Sequence, residues 1–166
     1  MTNNDSTKPT PPSLYEWAGG MEAFQRLTSI FYAKVKEDEL LSEVFRHMSP
    51  DHPEHVAFFV AEVFGGPKRY SELAGNSAHA EMVSHHISRR LTQTQRQRWI
   101  ALLLESADEI NLPDDPEFRS AFVAYLEWGT RLAVLNSQSD INPITTEPMP
   151  KWGWGEVGGP YQAPSE

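Results

Sequence analysis

The stretch GGMEAFQRLTSIFYAKV, residues 19–35, decides the fold class of this chain. Its large apolar side chains recur at steps of three and four residues, at Met21, Phe24, Leu27, Phe31 and Val35. This spacing places them on one face of an α-helix, because a helix turns once every ~3.6 residues. The stretch therefore predicts an amphipathic helix that buries this face in a core.

Three further segments carry the same period. A second helix is predicted after Asp51, whose side chain can cap the first turn. The GGP triplet at 65–67 ends that helix, since glycine and proline both disfavour its continuation. A third helix is expected from Thr94 and a fourth from about 114–116. No alternating apolar pattern and no internal repeat is found, so the sequence predicts an all-α domain of four main helices.

The segment from Lys68 to Thr92 does not fit this pattern, because small and polar residues dominate it without a clear period. A long irregular connection inside a compact domain is usually functional or disordered. It contains two adjacent histidines, His85 and His86. Neighbouring helical residues point about 100° apart, so one helix rarely aims both rings at the same point.

The composition excludes several classes of protein. The chain has 166 residues, 23 acidic against 14 basic, and a formal charge of -9, which disfavours binding to a phosphate backbone. No apolar run approaches the ~18 residues of a membrane helix. The absence of cysteine excludes disulfides, iron–sulfur ligation and covalent haem attachment. The polar, proline-rich start does not read as a secretory signal, so a cytoplasmic location is expected.

The two ends differ in composition from the middle of the chain. Residues 1–12 are predicted to form a flexible tail, residues 13–137 the helical domain, and residues 138–166 an irregular C-terminal extension. This extension is rich in aromatic residues, with Trp152, Trp154 and Tyr161. Because exposed indole rings are unfavourable, these three rings are expected to pack back onto the domain or onto a partner.

The order of motifs along the chain resembles that of the truncated haemoglobins, and within them the second group. The motifs are IFYAKV at 30–35, Phe45, FFVAEVFGGPKRYSE at 58–72, a histidine, and RQRWI at 96–100. The resemblance covers roughly residues 13–137. It implies a 2-over-2 helical sandwich, with a flexible N-terminal and a Trp-rich C-terminal extension, that holds haem b.

The resemblance also chooses between the two histidines. In that family the iron ligand precedes the tryptophan of the ligand pocket by thirteen positions, which selects His86 before Trp99 and turns His85 elsewhere. Haem iron takes one neutral imidazole on its proximal side and leaves the other side open to a gas. His86 is therefore the expected metal ligand.

The same correspondence with the family's motifs implies which residues surround a bound gas. Tyr32 and Trp99 become the hydrogen-bond donors, each combining an apolar ring with one polar group. His52 and Val56 are expected to face the ligand as well. The side chains predicted to contact the haem or line its gas path are Phe45, Phe59 and Val60.

A third set is implied by a departure from the family. The family often places a basic residue just before the iron ligand, where it reaches a haem propionate, and this chain has Val83 and Ser84 there. Lys68, Arg69 or Tyr70 is expected to take over that contact.

The implied function is reversible binding of O2 and other diatomic gases at a five-coordinate iron. NO, CO and peroxide are the further small ligands expected, with possible NO detoxification or peroxidase-like turnover. The sequence contains no flavin or nicotinamide motif, so such turnover would need a separate reductase.

Two alternatives remain open from the residues alone. A non-haem metal could be held by His79, Glu81 and His85, of which the last two share a helix face. The Glu-x-x-His spacing of di-iron bundles is absent, which disfavours this site. The chain could also be a protein-interaction module that binds through its Trp-rich extension.

Overall fold

The computed structural model describes residues 10–143 and 147–160, and these ranges contain seven α-helices and no β-strand. In chain order the helices are α1 Leu14–Ala18, α2 Met21–Glu37, α3 His52–Val63, α4 Arg69–Ala74, α5 Ala78–Ser84, α6 Gln93–Glu109 and α7 Pro116–Ser137. Short 3-10 turns occupy Gly75–Ser77 and Gly155–Val157. The all-α prediction is confirmed.

The four long helices form the body of the domain. α2 packs against α3 and α6, and α6 packs against α7. The predicted face of α2 is buried, with Phe24, Phe31 and Val35 each at most 1% exposed. Burial of a large apolar side chain contributes ~1.5–3 kcal/mol, so this stripe holds α2 in the core.

One predicted helix start and one predicted side-chain cap are corrected. The N-cap of α6 is Thr92 and the helix begins at Gln93, one residue before Thr94, because Thr92 forms a complete capping box with Gln95: the Gln95 amide donates to Thr92 Oγ1 at 3.1 Å, and the Thr92 amide to Gln95 Oε1 at 2.9 Å. Asp51 precedes α3 but makes no side-chain cap, since its own backbone is already helical at φ −83° and ψ −8°. α7 starts as predicted, capped by Asp115, which accepts from the Phe118 amide at 3.0 Å.

The GGP triplet ends α3, as predicted, and also makes room for α1. Gly65 has φ +96°, a left-handed conformation that favours glycine. A Cβ at Gly66 would lie 2.6 Å from the Tyr15 ring and 2.8 Å from the Ala61 carbonyl oxygen. The Tyr15 amide donates to the Phe64 carbonyl at 3.0 Å, so α1 docks directly on the end of α3.

The segment from Lys68 to Thr92 is not the irregular connection that the sequence predicted. It contains α4, the 3-10 turn and α5, which have six, three and seven residues. Helices of one or two turns are too short to show a convincing apolar period. His85 and His86 lie in the turn that follows α5.

The C-terminal extension packs onto the helices. The Trp152 amide donates to the Val63 carbonyl at 2.9 Å, and the Trp154 indole donates to the Pro12 carbonyl at 2.7 Å. The Trp152 ring contacts the rings of Tyr125 and Trp128, each at 5.6 Å between centroids. The expected packing of the indoles is confirmed for Trp152 and Trp154.

Part of the sequence-based description falls outside the described residues, namely positions 1–9 of the predicted tail and, in the predicted extension, positions 144–146 and 161–166, which include Tyr161. The boundaries at 12 and 137 stay predictions. Among the described helices, none has both the length and the apolar character needed to cross a membrane.

Candidate functional site

A cavity of about 460 Å³ opens between α2, α3, α5, α6 and α7, lined mainly by apolar side chains. It is the meeting point of most residues that the sequence predicted. Eight of them line it: Tyr32, Phe45, His52, Val56, Phe59, Val60, His86 and Trp99. These residues come from five separate segments of the chain, so the fold brings them together.

His86 reaches the cavity from the turn after α5. Its amide donates to the Val83 carbonyl at 2.9 Å, which fixes the backbone immediately before the ring. Burial lowers the pKa of His86 to about 4, and the positive charges of His85 and Arg89 act in the same direction. The imidazole is therefore neutral at pH 7, the form in which a ring nitrogen can bind a metal.

His85 also borders the cavity, but it is placed differently from His86. Its side chain is 54% exposed, and its Nε2 lies 3.6 Å from Glu81 Oε1 on the outer side of α5. An exposed imidazole beside a carboxylate competes poorly with a buried neutral one for an apolar cofactor. Of the two histidines, the geometry favours His86.

Tyr32 and His52 form a polar pair within the apolar wall. The Tyr32 hydroxyl lies 3.0 Å from His52 Nε2, and the two rings meet edge to face at 4.9 Å. Burial raises the pKa of Tyr32 above its usual range, so the phenol keeps its proton. Burial also lowers the pKa of His52 to about 4, with a smaller contribution from the positive charge at His85. Both groups are neutral at pH 7.

Aromatic side chains hold this pair in place. Phe45 contacts the Tyr32 ring at 5.6 Å between centroids, and Phe31 contacts both Tyr32 at 4.8 Å and Trp99 at 5.0 Å. Phe31 is fully buried and acts as a spacer between the phenol and the indole. The positions of the two donors are therefore set by packing.

Lys68, Arg69 and Tyr70 are not brought into the cavity wall. Lys68 is exposed, and the Arg69 guanidinium lies 4.5 Å above the Phe58 ring. Tyr70 is buried edge to face against Phe59, at 5.2 Å. Lys68 is the N-cap of α4 and Arg69 its first residue, so this short helix sets where the three side chains lie.

Two arginines outside the predicted site residues, Arg89 and Arg96, line the cavity instead. Arg89 donates from Nε to the His85 carbonyl at 2.7 Å, so it closes the turn that carries His86. Arg96 is 3% exposed, pairs with Glu127 at 3.3 Å, and keeps a buried Nε without a hydrogen-bond partner. The available signal was position, since Arg89 is three residues after His86 and Arg96 is three before Trp99.

These residues fit a flat, largely apolar cofactor that carries a metal and acidic substituents. The neutral His86 offers a nitrogen ligand, the apolar wall offers contact area, and the unpaired Arg96 Nε offers a donor. A non-haem site is not assembled, because no group of three His, Cys, Asp or Glu residues in the described ranges is placed to hold a metal ion. The side chains of Glu81 and His85 are more than half exposed, and Glu81 does not line the cavity that His79 and His85 border.

Comparison with known proteins agrees with this geometry. A family model described as bacterial-like globin matches residues 13–128. The haemoglobin of the thermophilic phototrophic bacterium Chloroflexus aurantiacus is 30% identical, with a TM-score of 0.64, over 74% of this chain and 97% of that one.

Two relatives named as truncated haemoglobins also match. The group 2 truncated haemoglobin YjbI of Bacillus subtilis (strain 168) is 23% identical over 121 residues, which are 73% of this chain and 88% of the relative. The group 1 truncated haemoglobin of Tetrahymena pyriformis is 32% identical over 73 residues, or 43% of this chain. That second match spans only 60% of the relative's own length.

Proposed function

The chain belongs to the bacterial-like globin family, and from that premise we propose that it binds O2 and other diatomic gases reversibly at a haem b iron. Family membership rests on a match to residues 13–128 and makes the protein a haem globin. The prediction of a truncated haemoglobin with the 2-over-2 helical fold is confirmed. The gas, the type of haem and the residues that serve them are the proposal.

The proposed cofactor is haem b because the chain offers no covalent attachment. No cysteine is present to form a thioether, so the cofactor is held by a ligand bond and by apolar contacts. When bound, haem supplies an iron atom with an open coordination position for a gas. His86 supplies the nitrogen ligand in this proposal, and its neutral ring needs no deprotonation at pH 7.

Tyr32 and Trp99 are proposed to retain the gas. A hydrogen bond to a charged or strongly polarised partner contributes about 1.5–3 kcal/mol when water is excluded. Tyr32 is buried and neutral, and Phe31 holds the Trp99 ring within the same wall. Two fixed donors favour slow release of O2, which suits retention or chemistry better than rapid delivery.

NO, CO and peroxide are proposed as further ligands of the same cavity. Any turnover of NO or peroxide consumes electrons, so it requires a separate reductase as partner. Binding of O2 alone requires no partner, and it is the activity that the geometry supports best.

The observation that carries the proposal is the presence of neutral His86 and the Tyr32–His52 pair in one apolar cavity. The test is an absorption spectrum of the purified protein, produced with ample haem precursor. We expect an intense Soret band that shifts when the dithionite-reduced, desalted protein meets O2 and returns under argon. A well-folded protein without this band contradicts the proposal, and zinc or iron found by elemental analysis without the band would favour the non-haem alternative. A colourless, metal-free protein would leave only the interaction module.

A further inference from the structure

The C-terminal extension is hydrogen-bonded to the turn that carries His86. The Ser88 amide donates to the Ser139 carbonyl at 2.9 Å, and the Arg90 amide donates to the Ser137 carbonyl at 3.0 Å. The residue numbers rise from Ser88 to Arg90 while those of their partners fall from Ser139 to Ser137, so the two segments pair in an antiparallel direction. The Leu91 amide also donates to Ser137 Oγ, at 3.0 Å. The chain on the C-terminal side of His86 is therefore fastened to residues at and beyond the end of α7.

This turn is held in an unfavourable backbone conformation. Ser88 has φ +66° and Arg90 has φ +52°, and neither residue is a glycine. Left-handed backbone crowds the Cβ of an ordinary residue, and it persists where the surroundings determine it. Strain of this kind two residues after His86 requires a restraint from elsewhere in the fold.

Asp140 contacts both left-handed residues through a single atom. Its Oδ1 accepts from the Ser88 hydroxyl at 2.8 Å and from Arg90 Nη2 at 3.0 Å, so it binds the side chains of both left-handed residues. The Ser88 hydroxyl and the Arg90 guanidinium hold the pKa of the Asp140 carboxyl below its ordinary value, so it is ionised at neutral pH. Hydrogen bonds to an ionised acceptor are the stronger class.

We propose that Asp140 is a positioning residue for His86: by binding Ser88 and Arg90 it holds the turn in the conformation that aims the imidazole into the cavity. The inference rests on the proposed function, in which His86 binds haem iron. It gives the C-terminal extension a role in the haem site, although the extension begins after the residues matched by the family model.

The test compares Asp140→Ala with the wild-type protein, both loaded with haem and reduced. Asp140 is 71% exposed, so its truncation removes no core packing. We expect the iron–imidazole stretching vibration, measured by resonance Raman spectroscopy, to shift or broaden. We also expect haem to pass to an excess of a haem-acceptor protein about tenfold faster, a factor that corresponds to ~1.4 kcal/mol. A merely structural role would lower the unfolding temperature and leave the vibration unchanged.

A rescue variant tests the route of the effect. Ser88→Gly in the Asp140→Ala background removes the left-handed penalty, because glycine adopts positive φ without strain. It should restore much of the vibration and of the haem retention. Glu43→Ala is the matched control, since Glu43 is an exposed acid that pairs with Arg46 at 3.3 Å. If Asp140→Ala loses its haem during purification, Ser88→Ala, which removes one of the two bonds, should show a smaller change in the same direction.

The outcomes separate this inference from the proposed function. The role of Asp140 is overturned if Asp140→Ala has the same iron–imidazole stretching vibration as the wild type and loses haem to the acceptor protein at the same rate. That result leaves the haem site intact. Failure of Ser88→Gly to rescue the Asp140→Ala protein also overturns it. A wild-type protein without a Soret band overturns the proposed function itself.

Discussion

The Tyr32 hydroxyl oxygen and His52 Nε2 lie 3.0 Å apart, and one proton makes the hydrogen bond between them. If the phenol donates that proton, none remains for a ligand in the cavity. If His52 carries the proton on Nε2, the phenol oxygen accepts, and the hydroxyl proton is free to turn towards the cavity. The tautomer of a neutral His52 therefore decides whether Tyr32 can donate to a gas.

Tyr32→Phe should accelerate the release of O2 from the ferrous protein by about ten- to a hundredfold. The reason is the loss of one hydrogen bond worth about 1.5–3 kcal/mol. The rate can be measured by stopped-flow displacement of O2 with CO. Tyr70→Phe is the matched control, because it removes the same hydroxyl from a buried ring outside the cavity wall. Equal rates for wild type and Tyr32→Phe would show that the phenol does not reach the ligand.

Trp99→Phe should also accelerate O2 release, since phenylalanine fills most of the space and lacks the indole N–H. The same displacement measurement applies. Trp154→Phe removes an indole that donates to the Pro12 carbonyl, and it should leave the rate unchanged. An unaltered rate in Trp99→Phe would remove the indole from the proposed set of donors.

His86→Ala should abolish the Soret band or shift it strongly, whereas His85→Ala should leave it nearly unchanged. His86 is the buried neutral imidazole, and His85 is exposed beside Glu81. Absorption spectra of the two purified variants, at equal protein concentration, decide between them. The reverse pattern would move the ligand assignment to His85.

The stability of the protein should fall as the pH drops from about 6.5 to about 4, in part because of His52. Its pKa is about 4 in the fold and 6.5 ordinarily, so in this window the unfolded chain binds more protons than the folded one. The contribution of His52 to the stability of the fold is fully present above pH 6.5. Urea unfolding at pH 7 and pH 4.5 should show a smaller loss of stability in His52→Phe than in the wild type. Equal losses would mean that His52 does not titrate in this way.

Gly66→Ala should destabilise the protein by about 1–3 kcal/mol, because the new Cβ meets the Tyr15 ring and the Ala61 carbonyl oxygen. For a chain of this length, each kcal/mol lowers the unfolding temperature by about 2–4 °C. Gly153→Ala is the control, since a Cβ there meets nothing within 4 Å. Circular dichroism during heating measures the unfolding temperature of each variant. Equal unfolding temperatures for Gly66→Ala and Gly153→Ala would contradict the close packing of α1 on the end of α3.

The sequence predicted the parts of the molecule that depend on local period and on fixed spacing. The apolar steps in residues 19–35 define the buried face of α2, and Tyr32 and Phe45, which the resemblance to the truncated haemoglobins implied, contact each other in one wall. Trp99 and His86 are likewise related by their separation along the chain. Tyr32, Phe45, His86 and Trp99 all line the cavity.

Other features depend on contacts that local pattern does not record. The direction of Lys68 and Arg69 is set by α4, whose six residues are too few to show a period. The start of α6 was misplaced because Thr92 and Thr94 are both acceptable caps, and Gln95 selects the first of them. The hydrogen bond from the Ser88 hydroxyl to Asp140 joins residues 52 positions apart, so it follows only from the tertiary fold.

The hydrogen bond from Trp154 to Pro12 joins residues 142 positions apart, and the Trp154 ring lies edge to face on Trp17. The backbone and this one bond together enclose nearly the whole fold in a ring. Tension applied between residues 12 and 154 would therefore act on this hydrogen bond and ring contact before any helix is stretched. Mechanically, the contact between the extension and the N-terminal segment has to break before the haem-binding helices are pulled apart.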